Sequence, residues 1–275
     1  MNSEWLKCPV VMPYYGGKFE LSRRLVPMLA PHNRYIEVFA GGLSMMFRKP
    51  KAKWNVVNDI DNDIVNLYIC VVEEFEKLCE YIYWYPRSRQ LYYEIKKEVM
   101  SGKDIQVPDP KRAARYLFLI KLSYNKNPYT AFSKSGKEDW STKILAELKI
   151  SREKFNRVTI ENLHFAKLVD KYPPQAGDMW YLDPPYVAAE RGDYYFYDFG
   201  EKEHKELKEC VDTINENNGK FMVSYDDKPL VRELYNEYNI VELPTIYTGN
   251  LKNRNKVVNE LAIINYSQTG QESLF

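Results

Sequence analysis

The feature that most constrains this chain is a strand, turn and helix that occurs twice in succession near its start. Arg34, Tyr35, Ile36, Glu37, Val38 and Phe39 form a β-rich run that ends in Ala40, Gly41 and Gly42, and Leu43 to Phe47 predict the first turns of a helix. Trp54 to Val57 is a second apolar run. It ends at Asn58, Asp59, Ile60 and Asp61, and Ile64, Leu67, Tyr68 and Val71 then follow at helical spacing. Two βα units in series predict an α/β fold with a parallel, doubly wound sheet. Past Phe75 the pattern changes to amphipathic helices (Leu91 to Met100, Arg112 to Leu122) and a polar, turn-rich stretch from Ser123 to Thr142, where no strand of the main sheet is expected. Strand-like runs resume at Arg157 to Ile160, Met179 to Leu182, Lys220 to Tyr225, Ile240 to Leu243 and Leu261 to Tyr266. The expected organisation is one α/β domain from 1–75 and 155–275, interrupted by a mainly helical insert over 76–154.

Composition narrows the chemistry. With Lys+Arg 39 against Asp+Glu 38, the net charge is +1, so an anionic partner must be met by a local patch and not by the field of the whole molecule. The 23 tyrosines, 12 phenylalanines and 5 tryptophans are more rings than a simple aliphatic core needs, which leaves aromatic faces for ligands. The 4 cysteines show no metal-ligand spacing and the 3 histidines show no triad order with the serines. A reducing compartment without structural metal or disulfides is expected. No stretch approaches the roughly 18 apolar residues of a membrane span, so a cytoplasmic protein is the expectation.

The clearest chemistry lies at Asp183, Pro184, Pro185 and Tyr186, directly after the strand Met179 to Leu182. Ligands of open α/β sheets bind at the carboxyl ends of such strands. Two prolines stiffen the turn and remove two amide donors, which leaves the Asp183 carboxylate and the Pro184 carbonyl as acceptors suited to an exocyclic amino group. Tyr186 adds a flat face for stacking a base. A plain Pro-Pro turn capping a strand would carry the same residues. Gly41 and Gly42 permit close backbone approach to a ligand, and the following helix start offers free amides for a carboxylate. Asp59, at the end of the second strand, stands where an acid reaches ribose hydroxyls in dinucleotide folds, whereas Asp61 and Asp63 read as helix-capping and solvated acids.

These segments together resemble the Dam-type N6-adenine-specific DNA methyltransferases (D12 class, α group). Asp183 to Tyr186 matches their DPPY motif, and Tyr14, Tyr15, Gly16, Gly17 and Lys18 look like their N-terminal aromatic-x-G-G-K segment. Glu37 to Gly42 resembles their glycine-rich cofactor loop, and Asn58 to Asp63 their acidic segment. The resemblance implies a Rossmann-like sheet using S-adenosylmethionine, with Asp183, Pro184, Pro185 and Tyr186 catalytic. It implies cofactor contacts at Tyr14, Lys18, Glu37, Phe39, Ala40, Gly41, Gly42, Asp59, Phe165 and Asp183, and no metal. His164 replaces the acid that often precedes the equivalent of Phe165 and reads equally well as a partly exposed loop histidine. His204, in a charged helix, reads as a surface residue.

In the insert, Lys111, Arg112, Arg115, Lys121 and Lys126 cluster, and Lys134 and Lys137 are interleaved with Tyr129, Phe132 and Trp140. Basic side chains meet phosphates while aromatics and amides meet bases, although a solvated helical face has the same look. The resemblance makes Tyr124 and Asn125 the start of a recognition hairpin, but the residues after Asn125 depart from the familiar pattern, so no GATC target is implied. The expected DNA contacts are Arg112, Arg115, Tyr124, Asn125, Lys126, Lys134, Lys137 and, in a Gly/Asn-rich loop, Arg254. The implied activity is methyl transfer to N6 of an adenine flipped out of double-stranded DNA, by a bacterial or phage-encoded enzyme that is a monomer or weak dimer, with a cognate restriction endonuclease as a conceivable companion. Two rivals stand beside it. An N4-cytosine methyltransferase usually has Ser where Asp183 stands, and a sequence-reading DNA-binding protein would not bind the cofactor.

Overall fold

The computed structural model describes residues 18–101, 105–124, 130–133, 140–186, 199–246 and 257–267. Seven strands, β1 (Arg34–Glu37), β2 (Trp54–Asn58), β3 (Val158–Glu161), β4 (Asp178–Leu182), β5 (Lys220–Asp226), β6 (Asn239–Ile246) and β7 (Val257–Ile264), form a sheet in the order β3-β2-β1-β4-β5-β7-β6. β1 pairs parallel with β2 and β4, and β4 with β5, while β7 is antiparallel to both β5 and β6. The parallel pairing of β1, β2, β4 and β5 is what the paired βα units led one to expect, and the order is that of the Rossmann-like sheet which the resemblance implies. The chain divides into two compact units, one of residues 1–19, 41–50 and 59–162, the other of residues 20–40, 51–58 and 163–275.

The second unit holds six of the strands. Every residue of β1 and β4 is buried, as strands covered on both faces require. Register places Ile36 beside Val56 and Trp180, Trp180 beside Phe221, and Val223 beside Ile263, so all point to one face. There they meet Leu168 and Val169 of α8 (Phe165–Lys171) and Leu207, Val211 and Ile214 of α9 (Glu201–Glu216), which recur at helical spacing. Each such side chain contributes about 1.5–3 kcal/mol by leaving water. The opposite face of the same strands is different, carrying Tyr35, Glu37, Tyr181 and Ser224 as a buried polar row.

Three strands are tied at their starts by one side chain. Arg34 and Asp178 are register partners in β1 and β4, and Arg34 Nε donates to Asp178 Oδ1 at 2.8 Å. Its Nη2 donates to Asp178 Oδ2 and, at 2.8 Å, to the Pro173 carbonyl. The guanidinium also lies 5.2 Å from the ring centroid of Trp54, its register partner in β2. Both charged side chains are almost wholly out of water, at 8% and 1% exposure.

Among its described residues, the first unit is helical apart from β3 and an isolated bridge between Ser123 and Phe132. α6 (Pro110–Leu122) is apolar nearly all round and buries Ala113, Ala114, Tyr116, Leu117, Phe118, Leu119 and Ile120, packing against α3 (Asn62–Glu73), α4 (Phe75–Trp84) and α5 (Arg89–Val99). Its first turn is set by Asp109, whose side chain accepts the Arg112 amide at 2.9 Å, and by Pro110. Asn66 of α3 makes two bonds to the Asp109 backbone, at 2.9 and 2.8 Å, so the start of α6 is fastened to α3. α7 (Trp140–Phe155) completes this unit. Burial pushes the thiols of Cys70 and Cys210 up to about 12, which makes both poor nucleophiles.

Replacing Arg34 with Ala leaves Asp178 buried and unpaired, and should cost about 3–5 kcal/mol of stability in denaturant titration. Arg34→Lys should recover only part of it, because an ammonium cannot reproduce the forked contact. A loss below about 1 kcal/mol for Arg34→Ala would show that the pair does not hold these strands.

Candidate active site

In the second unit, β4 ends at Leu182 and the chain turns through Asp183, Pro184, Pro185 and Tyr186. Ser224 of β5 donates its hydroxyl to Asp183 Oδ1 at 2.9 Å. Tyr181 lies 2.9 Å from the same Ser224 oxygen. Since a hydroxyl has one proton, Tyr181 donates to Ser224 while Ser224 donates to Asp183. Nearby on the same sheet face, Tyr35 donates to Glu37 Oε2 at 2.9 Å, and burial followed by the Glu37 charge raises the Tyr35 pKa well above its ordinary value. Tyr186 packs its ring against the apolar core and donates its hydroxyl to both oxygens of Glu260 on β7, at 2.9 and 2.8 Å. A carboxylate has about four acceptor sites, so Asp183 keeps capacity for amino N–H donors while it receives Ser224.

A cluster of rings belongs to the same unit. Phe39, Phe165 and Phe199 stand with centroids 5.8 to 5.9 Å apart. Phe165 is buried whereas Phe39 and Phe199 keep partial exposure, a set suited to the edge and faces of a purine. Asn58 places this cluster. Its buried carboxamide donates to the Val38 and Leu163 carbonyls, both at 2.9 Å, and accepts the Leu163 amide at 2.9 Å, joining the chain after β1 to the chain before α8. His164 lies half-exposed with its ring 4.1 Å from that of Phe165, in keeping with a loop histidine. The surface reading of His204 is corrected: it is buried, lies 2.7 Å from the Tyr225 hydroxyl through Nδ1, and packs edge-on against Phe199 at 4.8 Å.

In the first unit, Gly41 adopts φ +45°, which favours glycine, and Leu43 is left-handed at φ +55°. Asp59 Oδ2 accepts the Gly41 amide at 2.8 Å and Oδ1 accepts the Asp61 amide at 3.0 Å, while Tyr68 donates to the Gly41 carbonyl. Asp59 therefore shapes the glycine turn directly. Burial raises its pKa against these hydrogen bonds, and burial, then Asp59 and Asp63, push Asp61 up to about 7. Asp61 caps α3 by accepting the Asp63 amide at 2.8 Å, the capping role expected of it. The helix after the glycines, α2 (Ser44–Arg48), is only 5 residues long and carries no side-chain cap, so an anion site at its start gains no support. Lys18 is buried in this unit; Tyr14 lies outside the described residues.

The expected DNA contacts separate sharply. Arg112 is corrected: its guanidinium pairs with Asp63 at 2.7 and 2.9 Å and donates to the Glu98 and Val99 carbonyls, so it holds helices together inside the unit instead of facing phosphate. Asp63 is accordingly not a solvated acid. Arg115 is paired with Glu98 and largely covered. Tyr124 is 57% exposed, next to an isolated antiparallel bridge between Ser123 and Phe132. The Phe132 ring meets Tyr92 at 5.4 Å and the Arg87 and Arg89 guanidinium groups at 5.4 and 5.6 Å. Asn125, Lys126, Lys134, Lys137 and Arg254 lie outside the described residues.

A Rossmann-like sheet with an Asp-Pro-Pro-Tyr turn at the end of its fourth strand defines an amino-group methyltransferase. The family model of the D12 class N6 adenine-specific DNA methyltransferases matches residues 14–248, and the chain belongs to that family. It is an adenine-specific DNA methyltransferase that uses S-adenosylmethionine. It is similar to the Type II methyltransferase M1.LlaDCHI of Lactococcus lactis subsp. cremoris, 26% identical over 274 residues, covering 91% of this chain and 93% of that one. Among solved structures it is similar to SMU.776, a putative methyltransferase complexed with SAH, at 10% identity over 90% of this chain and 49% of that chain, with a TM-score of 0.41. A putative rRNA-methylase from Clostridium thermocellum is 12% identical over 90% of this chain and 97% of that one, with a TM-score of 0.39.

Ser224, Glu260, Asn58 and Phe199 carried no role in the sequence reading. For Ser224, Glu260 and Asn58 the one available signal was a polar residue within, or at the end of, an otherwise apolar strand; Phe199, outside any strand, carried none.

Two outcomes follow from these placements. Arg112→Ala should lower stability by about 3 kcal/mol in denaturant titration, because Asp63 and two carbonyls lose their donor; an unchanged midpoint would return Arg112 to the phosphate contacts. Burial holds His204 below its ordinary 6.5, against a smaller opposing pull from Glu203. The unfolded chain binds that proton as pH falls through 6.5 and the folded chain does not, so this contribution to stability is full above 6.5 and is lost progressively below it. His204→Gln should therefore show a smaller fall in Tm than the parent between about pH 7.5 and about pH 5.5, and an equal fall would refute the assignment.

Proposed function

We propose that the chain methylates N6 of a specific adenine in duplex DNA, with the base turned out of the helix and received by the Asp183 to Tyr186 turn. The observation that carries this reading is the hydrogen-bonded series Tyr181, Ser224, Asp183 at the end of β4. It aims one oxygen of Asp183 at Ser224 and so orients the whole carboxylate. Asp183 and the Pro184 carbonyl then accept the two N6 hydrogens, drawing the amino lone pair out of conjugation with the ring. Tyr186 stacks on the base and limits its rotation, a contact worth about 1–3 kcal/mol. Asp183 also receives the proton that N6 sheds on alkylation. Positioning and fixed dipoles supply the rate, and no covalent enzyme intermediate is needed.

The residues present fit S-adenosylmethionine, which supplies an electrophilic sulfonium methyl when bound. In the second unit, Phe39 and Phe165, joined by Phe199, provide apolar faces for an adenine ring, and Glu37 and Ala40 are carried forward on the resemblance. In the first unit, the carboxylate of Asp59 retains acceptor sites for ribose hydroxyls, and Gly41 and Gly42 admit close backbone approach. Lys18 and Tyr14 are carried forward on the resemblance alone. For DNA, exposed Tyr124 is the best-placed candidate among the described residues. No helix among those residues is long and apolar enough to cross a membrane, and a cytoplasmic enzyme with access to DNA fits the family. Likeness to the Lactococcus Type II methyltransferase supports pairing with a cognate restriction endonuclease, and a monomer or weak dimer suffices for the chemistry proposed.

Asp183→Ala should reduce incorporation of labelled methyl into DNA by at least about 100-fold while the far-UV circular dichroism is kept, and Ser224→Ala should reduce kcat by about tenfold. Full incorporation by Asp183→Ala would remove the turn from the chemistry. Sequencing that reports N6-methyladenine in DNA from expressing cells identifies base and target together, and N4-methylcytosine in its place would favour the cytosine reading.

A further inference from the structure

We propose that Glu260 is a positioning residue whose carboxylate fixes the ring of Tyr186 for stacking on the target base. The proposal rests on the reading of Tyr186 given above. Tyr186 is anchored at two ends. Its ring leans on the apolar core of the second unit, and its hydroxyl is held 2.9 and 2.8 Å from the two oxygens of Glu260. A hydroxyl shared between both oxygens of a carboxylate is charge-assisted, stronger than a bond between neutral groups, and restricts the ring to the plane that keeps both contacts.

The topology explains why the acceptor comes from β7. The parallel strands present their carboxyl ends to the Asp183 turn, so residues deep in them cannot reach Tyr186. β7 runs the other way, and Glu260, the first of its residues to pair with β5, is the register partner of Asp226, the last residue of β5. An acid at that point of an antiparallel strand thus stands at the same edge as the turn. Ser224 lies on the same sheet face two residues before Asp226, so Asp183 is held from β5 and Tyr186 from β7. A stacking platform that tilts freely would lose much of its contact with a flat base, which makes the hydroxyl the point of control.

The test compares Glu260→Ala, Glu260→Gln, Tyr186→Phe and the two doubles Tyr186→Phe/Glu260→Ala and Tyr186→Phe/Glu260→Gln, with steady-state methyl transfer to unmethylated DNA and calorimetric binding of S-adenosylmethionine. Glu260→Ala and Tyr186→Phe should each lower kcat by about tenfold with cofactor affinity unchanged, and their double should be no slower than either single. Glu260→Gln, whose amide oxygen still accepts, should fall between the parent and Glu260→Ala. Independent, multiplicative losses in the double, or parental kcat in Glu260→Ala, would overturn the coupling. If Glu260→Ala fails to fold, Glu260→Gln and its double with Tyr186→Phe preserve side-chain volume and decide the same question. Tyr186→Ala separates the two levels of the argument: parental kcat and KM there would remove the stacking reading itself, whereas a large loss in Tyr186→Ala beside no loss in Glu260→Ala would remove only the role of Glu260.

Discussion

The contact between Arg34 and Asp178 is the constraint on which the rest of this architecture turns. Neither residue is tolerable in a protein interior alone, and each is the first residue of a central strand. Because a one-residue slip would separate the charges, their pairing selects one register for β1 against β4, and the Trp54 ring against the guanidinium extends that choice to β2. Every functional residue of the second unit is counted from those strands. A register set at the amino ends determines which side chains arrive at the carboxyl ends.

That register sorts the central strands into two unlike faces. One is mainly apolar beyond the Arg34–Asp178 pair and Asn58, and is closed by α8, α9 and the helix Pro229–Leu234, which makes it the stable part of the unit. The other holds Tyr35, Glu37, Tyr181 and Ser224, each with a hydrogen-bond partner, and leads into Asp183. Buried polar groups are retained at little cost only when their partners are complete, so this face trades some hydrophobic stabilisation for a fixed orientation of the carboxylate.

The strands were legible in the sequence because buried parallel strands are continuous apolar runs, and the turns because glycine and proline punctuate them. The Asp183 turn was legible because its residue types sit together. What could not be read depends on partners far apart in the chain. Arg112 looks like any cation on a basic helix until Asp63 is placed against it, and His204 looks solvated because its neighbours Glu201, Lys202, Glu203 and Lys205 are charged, although it occupies the one stripe of α9 that faces inward. Asn58 and Glu260 gain their meaning from register, which composition does not reveal. Asp59 was singled out for a ligand, and its bonds to the Gly41 and Asp61 amides show that it first serves the backbone.

The reversed direction of β7 has a wider consequence. In a purely parallel sheet, one edge is made only of strand ends and the other only of strand beginnings, so chemistry at the first edge draws on a single kind of position. Inserting one antiparallel strand breaks that segregation. It brings Glu260 to the reactive edge together with Ile246 and Val257, the paired residues that flank the connection from β6 to β7. That edge therefore draws on the middle of a reversed strand as well as on the ends of its parallel neighbours, so an acid can be brought to the turn without altering the strands that carry it.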